Sequence, residues 1–182
     1  MRLAQSQDRF AVETIVEAAY SHYIARIGQK PGPMLDDYAA LIEGGHVHVM
    51  DDGKMVVGIL VLIQEADTML LDNVALHPSA QGRGLGRQLL AFAEQTAREA
   101  GCGSIRLYTH VLMTENIAIY TRAGYHETHR GEQKGLQRVF MTKSLAESES
   151  APAILRMNTT SVSLATGGGL VKPYISTLAT GA

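Results

Sequence analysis

Two hydrophobic periods alternate along this chain, and they place its elements. From Leu71 to Leu76 every residue is apolar or small except Asp72 and Asn73, and Pro78 cannot extend a ladder. This predicts a mostly buried strand ending near His77. Leu85, Leu89, Phe92, Ala93, Thr96 and Ala100 then recur at helical spacing, with Arg87, Glu94, Gln95, Arg98 and Glu99 between them, which predicts an amphipathic helix. Gly101 to Gly103 stops that helix, and Ser104 to Thr109 reads as a second buried strand, parallel to the first through a crossover.

Upstream, Arg2 to Gln5 predicts a short edge strand. Ser6 is placed to cap a helix that buries Phe10, Val12, Ile15, Val16 and Ala19 and ends near Ile27 and Gly28. After the break at Pro31, Gly32 and Pro33, Met34 to Glu43 predicts a second helix with Asp36 and Asp37 in its first turn. His46 to Met50 and Met55 to Ile63 form strands joined by the turn at Asp51 to Lys54, and Glu65 to Thr68 leads back to the first buried strand. Downstream, Thr114 is positioned to cap a helix over Glu115–Ala123, terminated by Gly124. Tyr125 to Arg130 and Leu136 to Leu145 make a closing hairpin. From residue 146 to 182 Ser, Thr, Gly and Ala dominate, with three consecutive glycines at 167 to 169. Such a composition predicts a loosely ordered or interface-forming tail rather than a second core.

Between the first buried strand and the amphipathic helix, Gln81, Gly82, Arg83, Gly84, Leu85 and Gly86 set three glycines at alternate positions. Backbone can therefore pass close to a ligand and present successive amides at a helix start, with Arg83 and Arg87 beside them, an arrangement suited to phosphate. The dinucleotide fingerprint GxGxxG fails here, because Arg87 stands where its third glycine is needed, and the phosphate loop GxxxxGK[ST] lacks its lysine.

What remains, Gln81, two residues, Gly84, one residue, Gly86, preceded by NVALHP and followed by LL, resembles the acetyl-CoA loop of the GNAT superfamily of N-acetyltransferases, written (Gln/Arg)xxGx(Gly/Ala). A second block, ENIAIYTRAGYHET from Glu115 to Thr128, is similar to the later segment of that family, with Asn116, Tyr120, and then Gly124 and an aromatic. The resemblance runs over roughly residues 1 to 145 and implies one domain there. It implies an α/β fold with a mixed, mostly antiparallel seven-stranded sheet, splayed at a central parallel pair and flanked by about four helices.

Composition narrows the partners. The 182 residues, 46% of them hydrophobic, suffice for one core, and a net charge of -2 without a basic stripe argues against general nucleic-acid binding. The longest apolar run, Val56 to Ile63, is far short of the ~20 residues of a bilayer span, and Met1 to Arg9 is too polar for a signal peptide. The single cysteine, Cys102, excludes an internal disulfide and fits a reducing compartment. These features point to a cytoplasmic protein with no membrane or nucleic-acid partner, and leave a homodimer open. His46 and His48 project from one face without further ligands, so no metal is expected.

Acyl transfer to an amine needs a base, because an unperturbed ammonium titrates near ~10, and the departing thiolate benefits from an acid. The resemblance assigns the acid to Tyr120 and sets Asn116 one turn earlier, near the pantetheine arm. It assigns the pyrophosphate to Gln81, Gly82, Arg83, Gly84, Leu85, Gly86 and Arg87, and backbone pairing with pantetheine to Val74, Ala75 and Leu76. Asp72, on the same strand and by alternation on the face of Val74 and Leu76, is the candidate base; Glu65, Asp36 and Asp37 are weaker ones. The segment from Tyr20 to Tyr38 lies over the acceptor side in the family, so Tyr20, Tyr23 and Tyr38 either select substrate or simply pack on the sheet. The expected reaction is direct attack of a primary amine, on a small molecule or a peptide, on acetyl-CoA in a ternary complex. Cys102, at the far end of the helix from the loop, is poorly placed for an acetyl-cysteine intermediate. The competing reading is a catalytically silent CoA-binding or interaction module.

Overall fold

The computed structural model describes residues 1–145; the tail from 146 to 182, expected to be loosely ordered or interface-forming, lies outside the described residues. Seven strands are hydrogen-bonded into one sheet: β1 (Arg2–Leu3), β2 (Val47–Asp51), β3 (Val56–Glu65), β4 (Thr68–Leu76), β5 (Ser104–His110), β6 (His126–Gln133) and β7 (Leu136–Ser144), in the order β1-β2-β3-β4-β5-β7-β6. Every pairing is antiparallel except that of β4 with β5. The α/β class, the mixed seven-stranded sheet and the central parallel pair are all as expected.

That parallel pair is short. β4 and β5 share three rungs, Thr68 with Ser104, Met69 with Ile105 and Leu70 with Arg106, after which both strands continue without pairing. Between them opens a wedge whose walls are the unpaired edges of Leu71 to Leu76 and Leu107 to His110.

Helices cover both faces. On one, α4 (Leu85–Glu99) buries Leu89, Leu90, Ala93 and Ala97 against Leu60, Leu62, Leu71, Ile105 and Leu107, and α5 (Thr114–Arg122) adds Tyr120. On the other, α1 (Arg9–Tyr20) and α3 (Tyr38–Glu43) pack Val12, Ile15, Val16, Tyr20, Tyr38 and Ile42 on Val47, Val49, Ile59, Val61 and Ala75. A single turn, α2 (Ile24–Ile27), lies between them. Lys143 of β7 donates to both carboxylate oxygens of Glu94, at 2.7 and 2.8 Å, and to the Ala123 carbonyl at 2.8 Å, so one half-buried ammonium ties α4 and the end of α5 to the sheet.

Several boundaries differ from the periodicity. Ser6 does not cap α1: a 3-10 turn at Ser6–Asp8 precedes the helix, and the Asp8 carboxylate accepts from the Gln5 N–H while pairing with Arg2 at 2.7 Å. Phe10 is 80% exposed, because the short turn rotates the helix so that Val12, Ile15 and Val16 face inward without it. The second predicted helix is broken in two, a 3-10 turn at Gly32–Leu35 and α3, because Asp36 is extended and Asp37 is the N-cap of α3, accepting from the N–H groups of Ala39 and Ala40. Thr114 is the first residue of α5 rather than its cap, which is Met113. His46 and His48 are half-buried, and His48 packs edge-on against Phe92 of α4 at 5.3 Å.

Candidate active site

The glycine-rich loop is built by its glycines. Gly82 and Gly84 have φ of 76° and 77°, left-handed values that favour glycine, and Gly84 is the N-cap of α4 with no side-chain cap. The first-turn amides of this fifteen-residue helix therefore carry no capping acceptor and point outward at the positive end of its dipole. Among the described residues, a Cβ at Gly82 or Gly84 would meet no atom within 4 Å beyond its chain neighbours, and one at Gly86 would meet only Leu76 Cδ1 at 3.6 Å, so they leave the approach to these amides open. Arg83 and Arg87 are exposed and form no ion pair among the described residues. Gln81 donates to the Leu76 carbonyl at 3.4 Å, tying the loop to the end of β4. The loop thus sits at the mouth of the wedge, beside the unpaired edge of Val74, Ala75 and Leu76.

Tyr120 is buried on α5, with its ring edge-on to Tyr125 at 6.0 Å. Its hydroxyl donates to no group among the described residues and, unlike that of Tyr125, is not sealed from solvent. Burial pushes this phenol well above the ordinary tyrosine range, with a smaller push from Tyr23, so it holds its proton through neutral pH. Asn116, half-buried one turn earlier, contacts the Met113 sulfur at 3.6 Å.

Asp72 is not where strand alternation put it. Val61 pairs with Asn73 but Leu62 pairs with Leu71, so Asp72 is an extra residue of β4 with no partner on β3. This bulge inverts the phase of the strand. Val74 and Leu76 pack with the α4 side, whereas Asp72 and Asn73 both turn to the α1 side. There the Tyr108 hydroxyl of β5 donates to Asp72 Oδ1, a bond that spans the wedge beyond its last rung. Burial and the bond to the carboxylate both raise the Tyr108 phenol far above its ordinary range, so it is a fixed donor.

Asn73, only 3% exposed, organises the tyrosines on this side. Its Oδ1 accepts from the Tyr20 hydroxyl at 2.7 Å, its Nδ2 donates to the Tyr38 hydroxyl at 2.9 Å, and Tyr38 donates to the Pro33 carbonyl at 2.8 Å. Tyr20 and Tyr38 are therefore satisfied core residues that anchor α1 and α3 to the bulge, and their faces are not offered to a ligand. Replacing Asn73 by Ala removes one bond from each hydroxyl, leaving Tyr20 the Val74 carbonyl at 3.2 Å and Tyr38 the Pro33 carbonyl, and is expected to cost about 1–3 kcal/mol of stability, read from urea unfolding; a smaller loss would show that these carbonyls alone satisfy the hydroxyls.

Among the weaker candidate bases, Glu65 is engaged by Arg106 at 2.8 Å and Asp37 caps α3. Asp36 stays near the site: its carboxyl is raised above the usual range, first by burial and then by the charge of Asp72, with Lys134 and Arg138 opposing. Among the described residues no three His, Cys, Asp or Glu side chains gather as a metal site, and no helix is long and apolar enough to cross a membrane. Tyr108, Asn73 and Arg138 were not singled out from the sequence; each lies on a strand whose face is set only by pairing.

Known proteins resemble this chain in sequence and in fold. The profile of the acetyltransferase (GNAT) family matches residues 12–125. Among curated proteins, the mycothiol acetyltransferase of Nocardia farcinica is 41% identical over 56 residues, 31% of this chain and 18% of that protein. The aminoalkylphosphonate N-acetyltransferase of Salmonella typhimurium is 34% identical over 59 residues, 32% of this chain and 38% of that protein. The chain thus spans well under half the length of these relatives in the matched segments. The crystal structure of the PaiA N-acetyltransferase of Thermoplasma acidophilum in complex with coenzyme A superposes with a TM-score of 0.64 at 16% identity, covering 79% of this chain and 96% of that one, a likeness of fold.

Proposed function

Because the chain belongs to the acetyltransferase (GNAT) family, whose profile matches well over half of it, we propose that it transfers the acetyl group of acetyl-CoA to a primary amine by direct attack in a ternary complex. The observation that carries this reading is the wedge between β4 and β5, with an uncapped helix start at its mouth and two differently prepared proton-handling groups beside it. The relatives' names, both acetyltransferases and one of them acting on an aminoalkylphosphonate, agree with an amine acceptor.

Acetyl-CoA supplies an activated thioester carbonyl. The chain fits it: the amides from Gly82 to Arg87, with Arg83 and Arg87 alongside, suit the pyrophosphate, and the free edge of Val74 to Leu76 suits the amides of pantetheine as an added strand would. On the α1 side, Asp72 keeps Oδ2 for the amine while Tyr108 fixes Oδ1, so the carboxylate is oriented to hold an ammonium and take its proton directly or through water. Tyr120 holds a proton at Oη for the sulfur that leaves as the N–C bond forms and the C–S bond breaks, and Asn116 stands one turn before it. Cys102 is buried just beyond the C-terminal end of α4, remote from the loop at its start. A small-molecule acceptor in a reducing, cytoplasmic setting is consistent with all of this.

Asp72→Asn is expected to lower kcat/KM about 10- to 100-fold at pH 7 and to lose less as pH rises, since free amine grows toward the ammonium pKa of ~10. A pH–rate profile over an amine panel checks it. An unaltered rate and profile would move the base elsewhere, Asp36 being the next carboxylate. The silent-module reading predicts coenzyme A binding with no transfer to any amine, and the presence of Asn116 and Tyr120 weighs against it.

A further inference from the structure

Arg138 is a buried, strongly polar group beside this site that the proposed chemistry leaves unused. It lies on β7 opposite His110, at the open end of the wedge, and is only 6% exposed. A guanidinium at that depth is ordinarily paired. This one forms no hydrogen bond and no ion pair among the described residues: its Nε is sealed without an acceptor, and its terminal nitrogens, also unpartnered, are not sealed. Close to it are the Tyr108 ring, whose centroid lies 4.8 Å from Cζ, and the backbone of Gly32, where a Cβ would stand 2.7 Å from Nη2. Gly32 therefore makes room for the guanidinium, and Tyr108 joins it to Asp72: the ring carries the cation on its face and the hydroxyl carries the carboxylate.

Burial works against the charged form of Arg138, and the nearby negative groups Asp72 and Asp36 only partly offset this without coming into ion-pair range. A planar, unpaired donor fork at the edge of a site is complementary to an oxyanion. Asp72 and Arg138 thus form a pair of opposite charges joined through one tyrosine. We propose that Arg138 binds an oxyanion on the acceptor, so that the substrate is a small amine carrying a carboxylate or phosphonate; the proposal rests on the acetyl-transfer reading above. The ammonium is held at Asp72 and the oxyanion at Arg138, which makes Arg138 a specificity-determining residue and not a participant in proton transfer.

The test compares matched acceptors with the full chain and acetyl-CoA: glycine, β-alanine and aminomethylphosphonate against glycinamide, ethanolamine and the N-terminus of a C-terminally amidated peptide without acidic side chains. Wild-type protein is expected to favour the best oxyanion-bearing amine at least about tenfold in kcat/KM over its neutral counterpart. Arg138→Gln is expected to raise KM for that amine about 10- to 100-fold while leaving kcat, neutral acceptors and coenzyme A affinity nearly unchanged, and Arg138→Lys should recover part of the loss. Gly32→Ala, which forces Nη2 aside without removing the charge, should act in the same direction and serves if Arg138→Gln does not fold. Preference between glycine and aminomethylphosphonate separates a carboxylate from a phosphonate source. Equal use of neutral acceptors by the wild type, or an equal loss on both classes in the variants, would overturn the proposal while leaving acetyl transfer intact and Arg138 a structural cation on Tyr108. Coenzyme A binding with transfer to none of these amines would overturn the acetyl-transfer reading, and this proposal with it.

Discussion

Gly84→Val is expected to weaken coenzyme A binding by at least about 100-fold, through two effects that the structure allows to be separated. The first is conformational: Gly84 sits at φ 77° as the N-cap of α4, and a β-branched residue there is strained by about 1–3 kcal/mol, so the loop re-aims its amides to relieve it. The second is occupancy, since a side chain would project where the phosphates approach. Among the described residues no atom beyond its chain neighbours lies within 4 Å of a Cβ at Gly84, so a loss of affinity could not be attributed to a clash within the described fold. Gly86 supplies the control for strain. It lies in the first turn of α4 without a positive φ, and its Cβ would make only an ordinary contact with Leu76, so Gly86→Val tests occupancy alone. Calorimetric titration with coenzyme A checks both variants, and an unchanged affinity in Gly84→Val would remove the loop from the binding site.

Tyr120→Phe is expected to lower kcat about 100- to 1,000-fold with little change in coenzyme A affinity. The hydroxyl has no hydrogen-bond partner among the described residues, so its removal strands nothing and should scarcely move Tm. This sets it apart from Asn73→Ala, where stability falls first. The pH dependence has a defined sign. Because burial raises the phenol above its ordinary value, the protonated form persists beyond pH ~10, and wild-type kcat should show no alkaline decline from this group below that point. Tyr120→Phe should therefore be slower across the whole neutral and mildly alkaline range, not on one limb alone. Turnover of the best acceptor, under conditions where chemistry limits the rate, decides the matter: a wild-type kcat in Tyr120→Phe would assign thiolate protonation to solvent.

The sequence by itself determined the parts of this protein whose physics is local. The glycines at 82 and 84 read as a loop because a residue without Cβ settles most readily at positive φ, and the same glycines leave the start of α4 bare. The 3.6-residue spacing from Leu85 to Ala100 placed α4, and Asn116 and Tyr120, four apart, share a face on any helix. Tertiary structure decided which way the acceptor side faces. Alternation along β4 predicted Asp72 beside Val74, but the bulge is a property of the β3–β4 register, not of β4 alone, and a slip of one residue turns a side chain to the opposite face of the sheet. Tyr108, Asn73 and Arg138 carry no local signal at all. They become a site only when the short β4–β5 ladder ends at Leu70 and Arg106, and when the hairpin of β6 and β7 lays Arg138 against Tyr108, 30 positions earlier in the chain. Such contacts depend on strand pairing between distant segments, and composition or spacing within a segment does not encode them.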